Sequence, residues 1–388
     1  MIKVDIIYSG DIYAPNGASV LMKRLMETDE LFREHEIEQR VFSPSIYKKR
    51  PEKGDISHSS KSSWVKRIVR SISKYSLLVS FLRYRRSLIK PAQEAVKQYE
   101  LLSEKGDVVV FHETWTCYEY LKRNKGQDNK VILIIHGDGD SLFVDMPRFD
   151  SILLASYRNK IQETILNDCH KIGFDADFPR KRFCERFGLD ENKSFFIYNG
   201  IEVRPCPQFK DITTLKVICV ASLSDRKNQM GILNAIGLLD SKLQGMMELT
   251  LVGDGPVKNS LEESAKNLSA NIVFTGTMSE SQYYKLLLGS NCFCLYSKSE
   301  GLPIAVIEGM RAGLPVIGSR VAGIPEEIVN GVSGFVVGLD ERELSDKFKW
   351  MIANLESLPA MGRESYQLFL EKFTTEAMVN KYVEVYNS

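Results

Sequence analysis

Short apolar runs, each closed by a turn residue and followed by a stretch of helical period, recur along the whole chain. In the first half they fall at 2–8, 37–42, 107–111, 131–135, 151–155 and 194–198; in the second half at 215–221, 248–252, 271–275, 291–296, 314–318 and 334–337. The runs are continuous in Val, Ile and Leu instead of alternating with polar residues. That is the pattern of parallel strands covered on both faces. Strands alternating with helices, twice over, predict an α/β protein with two doubly wound parallel sheets. The pattern breaks near 203–214, where Arg204-Pro205-Cys206-Pro207 opens a polar stretch. The expected division is therefore 1–205, 206–373 and a terminal helical segment 374–388, with Met378, Tyr382 and Val385 on one side.

A length of 388 residues suits two domains better than one core. Charge is balanced, 51 basic against 50 acidic residues, so no nucleic-acid partner is expected. The seven cysteines are odd in number, scattered and mostly within apolar runs. They read as buried thiols of a reducing compartment, and Cys292-Phe-Cys294 lacks zinc-ligand spacing. The first residues read as a strand rather than a signal peptide, and no apolar run reaches the ~18 residues of a membrane span. A cytoplasmic protein is expected. Charge is uneven, however: residues 48–97 hold 14 Lys/Arg against 3 Asp/Glu. Trp64, Ile68, Ile72, Tyr75, Val79 and Leu82 fall there at helical spacing, with Lys66, Arg67, Arg70 and Lys74 between them. An interfacial helix on the inner face of an anionic membrane and a domain helix with a solvated basic face both fit; the charge excess favours the first.

The most informative stretch is 300–319, EGLPIAVIEGMRAGLPVIGS. Glu300 lies in a Gly301-Leu302-Pro303 turn, and the apolar run from Ile304 reads as a helix bearing Glu308. Pro303 suits the first turn, while Gly313 and Pro315 end the helix. The exposed N–H groups of such a helix start suit a phosphate. Two carboxylates beside it can accept hydrogen bonds from paired sugar or ribose hydroxyls.

This segment closely resembles the E-x7-E signature of the retaining nucleotide-sugar glycosyltransferases of family 4. The resemblance implies a GT-B fold of two Rossmann-like domains facing a cleft, with the last helix crossing back to the first domain. It also implies hexose transfer from a nucleoside diphosphate sugar, most simply a UDP-sugar, to a glycan or lipid-linked glycan in cell-surface polysaccharide or glycoconjugate synthesis. No cofactor and no metal are implied. By this likeness Glu300 and Glu308 hold sugar and ribose hydroxyls.

Other stretches carry the same likeness. In 220–229, VASLSDRKNQ, Lys227 matches a diphosphate-binding lysine, whereas the companion arginine is replaced by Ser222. Arg226, one position from Lys227, either supplies the second cation or faces solvent. A cation there would stabilise the charge growing on the leaving diphosphate. Leu251-Val252-Gly253-Asp254-Gly255-Pro256 resembles the family's VGDGP turn. Lys258 stands where a dinucleotide fingerprint needs glycine, which argues against a nicotinamide enzyme. Thr277 follows a strand in the position that borders the nucleobase. Asn199-Gly200-Ile201-Glu202 fits both an interdomain turn and an ordinary Asn-Gly turn. In the first half, Gly17 matches part of a glycine loop beside the reaction centre, and His136 matches a donor-sugar histidine. His136 also reads as a capping residue at a strand end. His112 and Glu113 end the preceding strand and are assigned to the acceptor side. The Asp138-Gly139-Asp140 pair raises a metal site, which the family likeness does not require. The implied catalytic set is His136, Lys227 and Glu300, with retention through a front-face path in which a donor phosphate oxygen takes the acceptor proton. Two rivals remain: a nucleotide-sugar 2-epimerase on the same fold and, from another class, a non-catalytic partner subunit of a glycosyltransferase pair, for which Ser222 would be a sign of degraded donor binding.

Overall fold

A computed structural model describes residues 1–13, 17–46, 76–126, 128–143, 151–205, 207 and 212–388. The chain divides into two compact units. One gathers Met1–Phe174, Arg182–Phe195 and Tyr382–Ser388; the other gathers Asp175–Lys181 and Phe196–Lys381.

The first sheet holds β1 (Ile2–Ile7), β2 (Ile37–Phe42), β3 (Val108–Phe111), β4 (Lys130–Ile135), β5 (Lys171–Phe174) and β6 (Ser194–Phe196), in the order β2-β1-β3-β4-β5-β6. The pairings from β2 through β5 are parallel. The second sheet holds β7 (Leu215–Val220), β8 (Met247–Val252), β9 (Asn271–Gly276), β10 (Cys292–Leu295), β11 (Val316–Ser319) and β12 (Gly334–Val337). Its order is β12-β11-β10-β7-β8-β9, with every pairing parallel. Central strands such as β3, β10 and β11 are buried at every residue, as continuous apolar runs between two helical layers must be. These two doubly wound sheets are the predicted architecture.

One predicted strand is wrong. Residues 151–155 form a 3₁₀ turn, Ile152–Leu154, leading into the helix Ala155–Asp168, and Leu153 is exposed. A four-residue apolar run is ambiguous in period, and here its helical continuation decides. The true fifth strand is Lys171–Phe174, only four residues long with Gly173 inside it. A Cβ on Gly173 would collide with the Phe195 ring, so the glycine that weakens the strand signal is needed by the packing.

β1 carries a buried charge. Asp5 accepts from Arg40 Nε at 2.8 Å and Nη2 at 3.1 Å, from the Tyr99 hydroxyl at 2.7 Å and from the Gly106 amide at 2.5 Å. Buried carboxylates persist when their lone pairs are filled in this way. Burial, with the Asp5 carboxylate adding, pushes the Tyr99 hydroxyl well above its usual range.

The terminal helix is Thr375–Asn387, and its buried residues are Met378, Val379, Tyr382 and Tyr386. Val385, expected on that side, is half-buried. Within the first unit, Tyr382 meets Phe32 edge-on and Tyr386 meets it tilted, at ring distances of 6.2 and 6.0 Å. Among the described residues, no helix is long and apolar enough to cross a membrane. The six described cysteines are free and buried; burial pushes the Cys219 thiol up to about 12.

Candidate functional site

Strand order in the second sheet runs β7-β8-β9 one way and β10-β11-β12 the other, so it reverses between β7 and β10. The crevice beyond the carboxyl ends of such a pair is where open α/β sheets bind ligands. The two loops that leave there meet through side chains. Lys227 Nζ donates to Glu300 Oε1 at 2.5 Å, and Arg226 Nη1 donates to Glu300 Oε2 at 3.0 Å and to the Ser299 carbonyl at 2.8 Å. Glu300 and Lys227 are largely enclosed, at 6% and 13% side-chain exposure, whereas Arg226 is 51% exposed.

Local geometry explains the arrangement. Ser224 starts a turn whose carbonyl accepts from the Lys227 and Asn228 amides, and Asn228 closes it in the left-handed region. The Gln229 side chain donates to the Ser222 carbonyl at 3.0 Å and accepts from the Ser224 amide at 3.3 Å, fastening the loop to the following helix. The Lys298 amide donates to the Arg226 carbonyl, tying the two loops together. Ser222, where the resemblance would place an arginine, is exposed and brings no cation. Arg226 instead shares Glu300 with Lys227.

The 300–311 stretch folds as predicted, with one shift. Pro303 is the extended residue capping the helix Ile304–Arg311, and Gly313, in the left-handed region, follows its end. The Gly301-Leu302 turn is held from three sides. The Leu302 amide donates to Asp175 Oδ2 at 3.2 Å, Asn199 Nδ2 donates to the Leu302 carbonyl at 3.1 Å, and the Gly323 amide donates to the Gly301 carbonyl at 2.9 Å. A Cβ at Gly301 would collide with the Asp175 carboxylate, so glycine is required. Glu308 is buried on the helix, and its Oε1 accepts the Tyr283 hydroxyl at 2.9 Å. Burial and the Glu308 charge push that hydroxyl well above its usual range.

Gly253 and Gly255 serve close packing. A Cβ on either would strike the carbonyl of Ala221 or Leu223, and the Asp254 carbonyl accepts from the Leu223 amide. The VGDGP turn thus supports the Lys227 loop from behind. Thr277 is exposed in the bend between β9 and the helix Glu280–Gly289. Asn199-Gly200 is tertiary as well as local: a Cβ on Gly200 would collide with the Thr374 carbonyl and Met378.

Three acidic residues of this site escaped the sequence reading. Besides Asp175 these are Glu326 and Glu327, in the 3₁₀ turn Ile324–Glu327. Glu326 accepts from the amides of Asp177 and Phe178 at 3.0 and 2.6 Å and from the Tyr198 hydroxyl at 2.8 Å. Glu327 is 1% exposed, and neither of its carboxyl oxygens has a hydrogen-bond partner. Burial holds its carboxyl well above the usual range; the charges of Glu300, Asp175 and Glu326 act the same way and Lys227 opposes them. Only the partners of Glu326, 128 and more positions away in the chain, and the burial of Glu327 distinguish the pair from a solvated Pro-Glu-Glu turn.

In the first unit the order reverses between β1 and β3. His112 follows β3 and His136 follows β4. His112 Nδ1 lies 2.9 Å from His136 Nε2, with the rings stacked at 11°. Burial, with His136 adding, holds His112 well below its usual pKa of 6.5, and its buried Nε2 has no partner. Glu113 accepts from the Ser9 amide at 2.7 Å and from Thr116 Oγ1 at 2.8 Å, at the start of the helix Thr114–Arg123. Gly17 is the first residue of the helix Gly17–Glu27, and Asn16 lies outside the described residues. Asp140 pairs with Arg182 at 2.5 Å and Arg186 at 3.0 Å, while Asp138 Oδ1 accepts the Asp140 amide at 3.1 Å. No group of three or more His, Cys, Asp or Glu suited to a metal occurs among the described residues.

Most of the basic segment, 48–75, lies outside the described residues. The remainder forms Leu77–Tyr84, a π-helical Arg85–Ile89 and Lys90–Glu100, with Leu78 and Leu82 exposed at 68% and 53% and Val79 half-buried. A cavity of about 780 Å³ lies at the opposite, amino edge of the second sheet, beside Thr214, Asn291 and Pro315. It is remote from the carboxyl-edge loops that carry Glu300 and Lys227.

Residues 207–368 match the family model for glycosyl transferases group 1. N-acetyl-alpha-D-glucosaminyl L-malate synthase of Bacillus anthracis is 23% identical over 291 residues, covering 70% of this chain and 71% of its own length. Two further relatives are spanned over only 31% and 24% of their lengths. Sucrose-phosphate synthase from Thermosynechococcus elongatus superposes with a TM-score of 0.71 at 15% identity, over 100% of this chain and 98% of that one. HepE of Anabaena, solved with UDP and glucose, gives 0.64 at 14% identity over the full length of both. The chain therefore has the GT-B fold, and within it residues 207–368 are similar to the group 1 glycosyl transferases.

Proposed function

We propose that this chain is a retaining, family 4-type hexosyltransferase that takes its sugar from a nucleoside diphosphate donor, with UDP as the nucleotide. The acceptor is a glycan or lipid-linked glycan of cell-surface polysaccharide or glycoconjugate synthesis. The observation that carries this reading is the convergence of Lys227 and Arg226 on Glu300 at the strand-order reversal of the second sheet. Two cations against one carboxylate leave positive charge for a diphosphate. The leaving group gains negative charge as the glycosidic bond breaks, and fixed cations stabilise that change. Glu300 holds sugar hydroxyls, and Glu308 holds the ribose. The 301–304 turn and helix start, Gly253 and Thr277 complete the donor side. HepE, solved with UDP and glucose, supports the nucleotide. The GlcNAc–malate synthase supports transfer to a non-nucleotide acceptor.

On the first unit, His136 contacts the donor sugar, Gly17 gives close backbone approach, and His112 and Glu113 border the acceptor. The domains divide at 205/206, with 374–388 returning to the first. The reaction needs no metal, and residues 48–97 hold the protein peripherally on the inner face of an anionic membrane. A binding screen over UDP-, GDP- and ADP-sugars, followed by transfer assays with and without EDTA, tests this reading. UDP-sugar binding with acceptor-dependent, EDTA-resistant transfer is expected. Epimer release from donor alone, or binding without transfer across an acceptor panel, would replace it.

A further inference from the structure

Glu327 is the least explained charge-bearing residue of the second unit. It is 1% exposed, and both carboxyl oxygens lack a hydrogen-bond partner. An ionised carboxylate without donors at such burial is strongly disfavoured, and the neutral acid costs far less. Its surroundings sharpen the argument. The charged groups acting on it are Glu300 from the loop after β10, Asp175 from the end of β5, Glu326 from its own turn and Lys227 from the loop after β7. Asp175 is engaged by the Leu302 amide, and Glu326 by two amides and Tyr198. Lys227 is the one cation among the four, and it is already bonded to Glu300.

We propose that Glu327 stands as a neutral carboxylic acid beside the Glu300–Lys227 pair and is a positioning residue of the donor site, an inference that rests on the donor-site reading above. While neutral, it leaves Lys227 committed to Glu300 and to an incoming diphosphate. Once ionised, it becomes a second, donor-less carboxylate that competes for the same ammonium group. Glu327 then links proton binding to nucleotide affinity without touching the nucleotide.

Denaturant unfolding of the parent and of Glu327→Gln across pH 5.5–8 tests the protonation state. When the chain unfolds, the carboxyl returns to its ordinary value of 4.5 and releases a proton that the variant cannot release. The unfolding constant of the parent relative to the variant should therefore climb with pH, by up to about tenfold per unit, until the folded group itself ionises. A flat ratio overturns the neutral acid. Glu327→Met, similar in volume, should give the same slope. If neither variant folds, the carboxylic-acid C=O stretch in pH-difference infrared spectra of the parent decides instead, and its absence at neutral pH overturns the proposal.

A second arm uses UDP as the probe. Parent affinity should fall at least about threefold more than that of Glu327→Gln as pH is raised from 7 into the range where Glu327 ionises. Parallel profiles remove the positioning role. No UDP binding by either protein overturns the donor-site reading and the positioning role with it, while the unfolding experiment still decides the neutral acid separately.

Discussion

His112 Nδ1 sits 2.9 Å from His136 Nε2, with the two imidazoles stacked at 11°, at the carboxyl ends of adjacent parallel strands. A hydrogen bond at this distance has one ring donate and the other accept, so the tautomers of the two histidines are linked. His136→Ala should lower transfer at least about tenfold, the usual scale for losing a positioned polar group. His112→Asn should lower kcat while leaving donor affinity nearly unchanged. An unaltered kcat in a well-folded His112→Asn would remove the coupling between them.

His112 should set an acid limit on stability. Folded His112 is held neutral, while the unfolded histidine takes a proton near 6.5. Below that value the unfolded state binds more protons, so stability falls as pH drops through 6.5. Melting temperatures of the parent should decline between pH 7.5 and 5.5 more steeply than those of His112→Asn. Parallel curves would show that His112 does not contribute.

Glu300→Gln should keep the fold and cut transfer at least about tenfold, since a hydrogen bond to a charged group contributes on the order of 1.5–3 kcal/mol. Lys227→Ala should reduce kcat more than donor affinity, because charge on the leaving group grows in the transition state. Arg226→Ala is the informative comparison. A measurable loss is expected from its bond to Glu300, though its exposure makes the loss smaller than that of Lys227. A silent Arg226→Ala would leave Lys227 as the only working cation.

Asp5→Ala should destabilise the first unit by about 3–5 kcal/mol, the scale for breaking a buried charge pair by removing one partner. Arg40 and Tyr99 are left unsatisfied in that variant. Urea titration followed by circular dichroism reads the effect. A midpoint within experimental error of the parent would mean that water replaces the carboxylate at no cost.

Residues 48–97 should drive binding to anionic vesicles, weakened by salt, with about 1 kcal/mol per Lys/Arg near the surface. Exposed Leu78 and Leu82 add an apolar contribution that salt does not screen. Lys66→Glu with Arg70→Glu should release the protein from vesicles at an unchanged melting temperature. Equal cosedimentation with neutral and anionic lipid would make the segment a solvated helix face.

The sequence by itself determined the two parallel sheets, because strands covered on both faces must be written as unbroken apolar runs, and eleven of the twelve predicted runs are strands. It failed at Lys171–Phe174, where the packing of Phe195 demands a glycine that erases the strand signal. The Glu300 turn, the Ile304–Arg311 helix and Lys227 were legible because turn chemistry and helix caps act over a few residues. The partners were not. That Arg226 takes a place on Glu300, that Asp175 holds Leu302 and that Glu326 receives the amides of Asp177 and Phe178 each join positions 70 or more residues apart, and the burial of Glu327 without a donor follows from the same packing. Burial and charge proximity belong to the folded arrangement of loops, and no local pattern of residues encodes them. Only the tertiary structure turned two glutamates after a proline into one anchored carboxylate and one isolated acid.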